Sequence, residues 1–364
     1  MKISLRHFFL FVLAAGLRPA LLQADPIGTY ITGLSLPETV SLAPATFGTY
    51  AGQLIISDSG AGPTTGPGSL YAAPVTGGTA TQFSSYSGAG YAGGGFAPTS
   101  YGSLSGQYIA VGETSSRAAI INEINSGGSV TNLYTGTAVS EATNFSVAPA
   151  TFGSAANKIV VPYINGTNPG SLLLLNPDGS TSSFGSALPI VNPFGSAFAP
   201  AGFGSVGGDL LLSDGTTGTI VAIDSTGNAK QFANIGLGSG QVGLRQMAFA
   251  PAGFGLYGGD LFVSVASLNG TGGTNGEVLV VDANGNIVAA LLQGTVDEPF
   301  NPRGLYFLNN TELLVSNADP SVLLATPLDF TSAAPEPAGF GLAAAGLAVL
   351  VWRMRRRAST AKRI

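Results

Sequence analysis

The chain has 364 residues, 53 of them glycine, with no cysteine, a single histidine and only 9% charged residues; its formal net charge is −5. Without cysteine there is no disulfide framework and no thiolate chemistry. The one histidine, His7, stands near the N-terminus, so the body also lacks the Ser-His-Asp and Cys-His catalytic sets and the ligands of ordinary zinc or copper sites. Between Asp25 and Ala334 five basic residues (Arg117, Lys158, Lys230, Arg245 and Arg303) stand against eighteen acidic ones, a formal −13. Such a surface repels nucleic acid, whose binding depends on Lys and Arg neutralising phosphate. Only oxygen ligands remain for a metal, which suit calcium or magnesium.

Lys2 and Arg6 precede an apolar run over 8–17, the pattern of an export signal with a basic head and a short apolar core. Cleavage after Ala24 fits, as does a cut after Gly16. The expected signal peptide is therefore 1–24, which makes signal peptidase a partner.

From residue 43 onward one phrase recurs. Ala43-Pro44-Ala45-Thr46-Phe47-Gly48 returns around Pro98, Pro149, Pro200 and Pro251, at spacings of 54, 51, 51 and 51 residues. A sixth, degenerate copy sits at Phe307-Leu308-Asn309. A period near 50 that holds several short strands is propeller spacing, longer than a β-helix repeat. Each unit offers a short strand before the phrase, such as 246–250, then a nearly all-apolar strand, such as 210–212 or 261–263. A third strand follows (219–223, 277–281). After a turn such as Asp224-Ser225-Thr226-Gly227 or Asp282-Ala283-Asn284-Gly285 comes a fourth (229–232, 286–290). Continuous apolar strands imply burial on both faces. The last unit lacks a fourth strand, whereas 29–32 precede the first phrase without a partner. The expectation is an all-β, six-bladed β-propeller over 27–329 whose N-terminal strand closes the last blade.

The run Asn301-Pro302-Arg303-Gly304-Leu305-Tyr306-Phe307, followed by Glu312-Leu313-Leu314-Val315-Ser316-Asn317, resembles an NHL-type blade. The units as a whole resemble NHL and gluconolactonase-like six-bladed propellers. Gluconolactonase-like enzymes hold a divalent metal with a Glu, an Asn and an Asp at the channel mouth. Glu38 or Glu141, Asn192 or Asn301, and Asp214 are of the right types here, but no local motif singles them out. Catalytic, cofactor and metal residues are therefore all expected to be none, with Ca2+ as the one cation that a loop such as 214–218 would suit.

Two sets of side chains recur at equivalent positions. Fourteen residues after the phrase prolines stand Asp58, Gly112, Tyr163, Asp214 and Val265, with Asn317 equivalent in the last unit. Asp58, Asp214 and Asn317 suit an oxygen-rich ligand site, or equally a strand end that bonds the following turn. Six residues before the phrase position stand Arg245 and Arg303, in adjacent units. Together they could clamp a carboxylate or sulfate, such as an acidic sugar, or pair with Asp297 or Glu298. On the first reading, replacing both with Ala removes binding with little change in stability. The phrase aromatics Phe47, Tyr101, Phe152, Phe203 and Phe254 are expected to pack beneath each blade.

After a linker over 330–337, the chain ends in Pro335-Glu336-Pro337, an apolar stretch over 338–352 and the cluster Arg353, Arg355, Arg356 and Arg357. Fifteen apolar residues make a helix of only about 22 Å, short for a permanent anchor. The arginines hold such a helix on the cytoplasmic side, and Trp352 suits the interface. The arrangement, a transmembrane helix and Arg cluster over 338–357, resembles the PEP-CTERM sorting signal of bacterial exported proteins. That resemblance implies an exosortase-like processing partner, passage through the inner membrane, and delivery to the envelope, surface or extracellular matrix. The body is then expected to act there as a non-enzymatic binding or structural module, with extracellular polysaccharide as its surroundings; the alternative is a metal-dependent sugar-lactone hydrolase or lyase.

Overall fold

A computed structural model describes residues 28–327 except 61, 63–65, 138–139, 166–169, 186–187, 238–240, 268–275, 294–299 and 319–320. The expected signal peptide, the linker and the Pro-Glu-Pro tail lie outside the described residues. Among those described, no helix is long and apolar enough to cross a membrane.

The body is an all-β propeller whose strands form six sheets. In the first, Pro37–Leu42, Leu54–Asp58, Gly68–Ala73 and Thr81–Tyr86 pair antiparallel in that order, from inside to outside. The same order recurs around the inner strands Ala89–Phe96, Pro193–Phe198, Gln241–Phe249 and Pro302–Phe307. In the third sheet the inner strand is split into Ser140–Ala142 and Ser146–Val147, both paired with Ile159–Asn165. Second strands such as Leu54–Asp58 and Leu210–Asp214 are buried at every residue, as their unbroken apolar runs require. The core is correspondingly divided into six layers, each shared by two neighbouring sheets. Phe152, Val160 and Leu174 meet Leu210 and Leu212 in one; Ile31, Val40 and Leu54 meet Leu314 in another.

The repeated phrase makes these layers. Its aromatic ring is buried, but between sheets rather than beneath its own. Phe47 meets Phe96 of the next inner strand edge-on at 4.8 Å; Phe152–Phe198, Phe203–Phe249 and Phe254–Phe307 repeat this at 4.7–4.8 Å. Edge-to-face pairs at this distance add to the area that they bury. Where the phrase has Tyr101, its hydroxyl instead accepts from Ile159 N–H at 2.7 Å and donates to the Leu175 carbonyl. The phrase glycine has φ between 49° and 52° at all five positions. At Gly153 and Gly204 a Cβ would also stand 2.3 Å from a carbonyl in the next sheet's outer turn, so glycine is doubly required there.

A second device ties the inner strands together. A register shift interrupts the pairing near the start of the inner strands, between Pro193 and Ser196 and between Pro302 and Leu305, for example. In the first, fourth, fifth and sixth sheets a buried serine of the second strand fills this gap. Ser213 Oγ accepts from Gly195 N–H at 2.7 Å and donates to the Arg245 carbonyl of the next sheet at 2.8 Å. Ser264 donates to the Arg303 carbonyl at 2.7 Å, and Ser316 to that of Glu38 at 2.9 Å. Thr39 bonds the Gly94 carbonyl at 3.2 Å, and Thr143 that of Phe194 at 2.8 Å. Between the second and third sheets, close approach replaces the hydroxyl, since a Cβ on Gly93 would stand 2.3 Å from the Thr143 carbonyl.

The ends join as expected for 29–32. Strand Gly28–Thr32 pairs antiparallel with Ser321–Pro327, as the fourth strand of the last sheet. It also pairs parallel with Gly78–Thr79, at the first sheet. Sequence boundaries differ mainly at the fifth sheet, where the inner strand begins at Gln241 and the outer strand Ile287–Gln293 runs beyond 290.

Phe152→Ala should destabilise the protein by about 3–5 kcal/mol through cavity formation. Ser213→Ala, which leaves Gly195 N–H without its partner, should cost about 1–3 kcal/mol. Urea unfolding monitored by intrinsic fluorescence reads both, and an exposed control, Thr151→Ala, should lie within about 0.5 kcal/mol of wild type.

Candidate functional site

The position six residues before the phrase proline lies at the register shift of the inner strand. Around the ring it is filled by Glu38, Ala92, Thr143, Phe194, Arg245 and Arg303. Phe194, Arg245, Arg303 and Glu38, in consecutive sheets, form a chain of one aromatic and three charged side chains at the end of the channel where the inner strands begin. The Arg245 guanidinium lies 4.0 Å over the Phe194 ring. Arg303 Nη1 lies 3.2 Å from Glu38 Oε1 and 3.5 Å from Oε2, a pair that spans the junction of last and first sheets. Ser59 Oγ donates to Glu38 Oε1 at 3.0 Å. The backbone carbonyls of Glu38, Arg245 and Arg303 are the ones that accept the serine bonds above. The side chains are thus aimed by the same contacts that close the ring.

Arg303 therefore pairs with Glu38, 265 residues away in sequence. Asp297 and Glu298 lie outside the described residues. Glu38 is 5% exposed. Burial pushes its carboxyl above the usual range, against the pull of Arg303 and Arg245. Burial brings Arg245 down to about 9, with the Arg303 charge adding to the shift and Glu38 opposing it. No carboxylate among the described residues lies within ion-pair distance of Arg245. Among the described residues Glu38 is the one carboxylate in ion-pair contact with this arginine pair, and Asp58 adds negative charge beside it.

Four buried polar atoms around this chain have no protein partner among the described residues: Nε of Arg245, Nε of Arg303, and Oδ1 of Asn192 and Asn301. The asparagines occupy matching places, Asn192-Pro193-Phe194-Gly195 and Asn301-Pro302-Arg303-Gly304, at the heads of the fourth and sixth inner strands. Buried polar groups without partners are uncommon and call for an explanation such as a ligand.

Asp58, Asp214 and Asn317 lie at this same end, each opposite a strand-leading proline: Pro37, Pro193 and Pro302. Their oxygens bind loop backbone. Asp58 accepts from Ser35 N–H at 2.7 Å, Leu36 N–H at 3.0 Å and Gly60 N–H at 2.7 Å. Asp214 accepts from Val191, Thr216 and Thr217 N–H at 3.1, 2.8 and 3.3 Å, and Asn317 Oδ1 from Asn301 N–H at 2.7 Å. Proline has no N–H to give the ladder. The acid or amide opposite it captures an N–H one or two residues before the proline instead. Where the head residue is Tyr91, Ala142 or Leu244, the opposite residue is Gly112, Tyr163 or Val265, without a carboxylate.

These contacts bear on the Glu/Asn/Asp metal set. Glu38 is engaged by Arg303, Asp214 is spent on three N–H groups, and two guanidinium groups stand beside Glu38. In this arrangement the Glu/Asn/Asp set is not free to ligate a divalent cation, and the residues do not fit one. Among the described residues no cluster of three metal-ligating acidic side chains exists elsewhere. The side chain of Glu141 lies outside the described residues.

No protein family and no curated protein matches the sequence. Solved structures do match by fold. A gluconolactonase from Xanthomonas campestris is 17% identical, with 86% of this chain and 99% of that one covered at a TM-score of 0.54. The calcium-binding protein regucalcin from Agrobacterium tumefaciens is 13% identical, with 85% and 96% covered at a TM-score of 0.55. At these identities the likeness is one of fold alone.

Removing the Arg303 charge while Glu38 stays buried should cost about 3–5 kcal/mol at neutral pH. The double replacement of Arg245 and Arg303 should therefore cost stability as well, because it leaves Glu38 without its partner. For a carboxyl whose folded pKa is raised, stability is greatest below its unfolded value and is lost as pH rises through the folded one. Arg303→Met should accordingly regain stability as the pH is lowered towards the ordinary Glu range, whereas Arg303→Met/Glu38→Gln should show no such gain; denaturant titrations between pH 4.5 and 8 distinguish the two.

Proposed function

We propose that this protein is an exported propeller that works outside the cell as a non-enzymatic binding module, holding a small hydroxylated anion such as an acidic sugar at the Arg245–Arg303 end of its channel. Each of the six sheets is taken as one blade, with the charged chain at the mouth. The observation behind the reading is the set of unpartnered atoms around the arginine pair: two buried Nε donors without partners among the described residues, and two unpartnered amide oxygens on the flanking strand heads. The donors suit a carboxylate or sulfate, and the asparagine oxygens suit hydroxyl groups. The export signal at 1–24 and the tail with Pro335, Glu336, Pro337 and the arginines Arg353, Arg355, Arg356 and Arg357 support delivery to the envelope or matrix through signal peptidase and an exosortase-like enzyme.

The second reading, hydrolysis of a sugar lactone, draws on one observation. Glu38 is buried, has a raised pKa and sits beside two arginines, the arrangement of a general base next to groups that could stabilise an oxyanion. Calcium has no donor set to support it in this mouth, so the hydrolase is proposed without metal.

Arg245→Gln should weaken glucuronate binding at least about tenfold, as expected for the loss of one charge-assisted hydrogen bond, while glucose binds poorly to both forms. Titration calorimetry reads this, and unchanged glucuronate affinity would sink the anion site. Lactone turnover by wild type that disappears in Glu38→Gln would favour the enzyme. Intact mass of protein from the outer fractions of the native host tests the sorting reading: loss of the chain beyond the Pro-Glu-Pro region is the expected result, and an intact tail confined to the inner membrane would remove the matrix role.

A further inference from the structure

The directions of the strands set where the chain ends leave the propeller. In the last sheet Pro302–Phe307 begins at the arginine end of the channel and finishes at the opposite end, where Phe307 pairs with Leu313. Strand Ser321–Pro327 runs the same way, so that Thr326 pairs with Leu313 and Pro327 with Glu312. Gly28, opposite Ala325, starts at that end too. Both ends of the body therefore emerge on the face formed by the repeated phrases, away from Glu38, Arg245 and Arg303.

The exposed apolar side chains show the same asymmetry. Seven large ones are exposed among the described residues. Six lie on the phrase face. Leu42 and Val147 end inner strands, Val75 and Ile287 with Val288 border outer turns, and Leu256 (59% exposed) projects from a phrase loop. Only Val191 lies at the arginine end. The turn residues Asp178, Asp224 and Asp282 share the phrase face, so its affinity for a surface would come from apolar contact rather than from charge.

We infer that, while the tail holds the protein in the membrane, the phrase face lies against the lipid surface and the arginine mouth points away from it. The inference rests on the anchoring part of the proposed function. The ten residues 328–337 reach about 35 Å when fully extended. Turning the propeller over would use about 17 Å of this merely to run back along one strand length. The rest, about 18 Å, would have to pass the outer strand Gly28–Thr32 in a nearly extended path, whereas the phrase-down orientation lets the linker enter the membrane directly. The bilayer therefore presents the binding mouth to the exterior.

The chain has no cysteine, so single reporters can be placed without background. Full-length Thr49→Cys and Ser154→Cys label the phrase face, and Ser115→Cys and Thr216→Cys the arginine end; all four sites are exposed. After reconstitution into phosphatidylcholine vesicles, a quencher attached to lipid headgroups should dim dyes at positions 49 and 154 several-fold more than dyes at 115 and 216. Equal quenching at the four sites, or stronger quenching at 115 and 216, overturns the orientation while leaving the anchor intact. Failure of the chain to float with the vesicles overturns the anchor itself, and the orientation with it.

Discussion

One hydrogen bond, repeated at five of the six junctions between sheets, ties this ring together: a hydroxyl reaches from one sheet to a backbone carbonyl of the next inner strand. Serine suits the task because its oxygen can accept from an N–H freed by the register shift in its own sheet while its proton crosses the gap. The hydroxyls of Ser213, Ser264 and Ser316 belong to buried residues, so each bond is worth more as an unmet need avoided than as an attraction gained. Sheets could stack through Phe and Leu alone, but apolar layers tolerate sliding. The hydroxyl bonds fix how far each sheet turns against its neighbour.

The charged chain depends on that fixation. Arg245, Arg303 and Glu38 contribute both the carbonyls that are pinned and the side chains that meet in the channel. An error of an ångström in sheet rotation would separate Arg303 from Glu38, or lift Arg245 from Phe194. A buried carboxylate between two cations is electrostatically demanding, and it is tolerable only because its surroundings are rigid and Ser59 supplies a further bond. The proline heads and the opposing acids Asp58 and Asp214 serve the same end at a smaller scale, since they fasten the loops that lead into the inner strands.

Much of this was legible in the residues. The phrase period identified the units, the apolar second strands located the buried layers, and the unpaired segment 29–32 pointed to the clasp. The arginines stood out by rarity and register. Their partner did not, although the same count of six residues back from Pro44 lands on Glu38. Acidic residues outnumber basic ones eighteen to five between Asp25 and Ala334, so rarity offered a weaker signal, and the contact joins first and last sheets. The coupling of Pro37, Pro193 and Pro302 to Asp58, Asp214 and Asn317 was also written in the sequence, but it becomes visible only once strand register aligns the pairs. The phrase aromatics were recognisable as core. That they lie between sheets depends on how neighbouring sheets twist, which a single unit does not encode.

The clasp has a consequence for the order of events in the life of the chain. Gly28 is among the first body residues to be synthesised and Ala325 among the last, yet they pair. Five sheets can complete themselves as their own strands appear, whereas the sixth must wait for a strand made nearly three hundred residues earlier. Until then the nascent ring is an open arc with unpaired edges at both ends, and edges of that kind join to other chains as readily as to their own. Strand Gly28–Thr32 is short, and it is held on both sides when the ring closes. It works as the last piece set in an arch, and the interval before it is seated is the time when this protein is most exposed to mispairing.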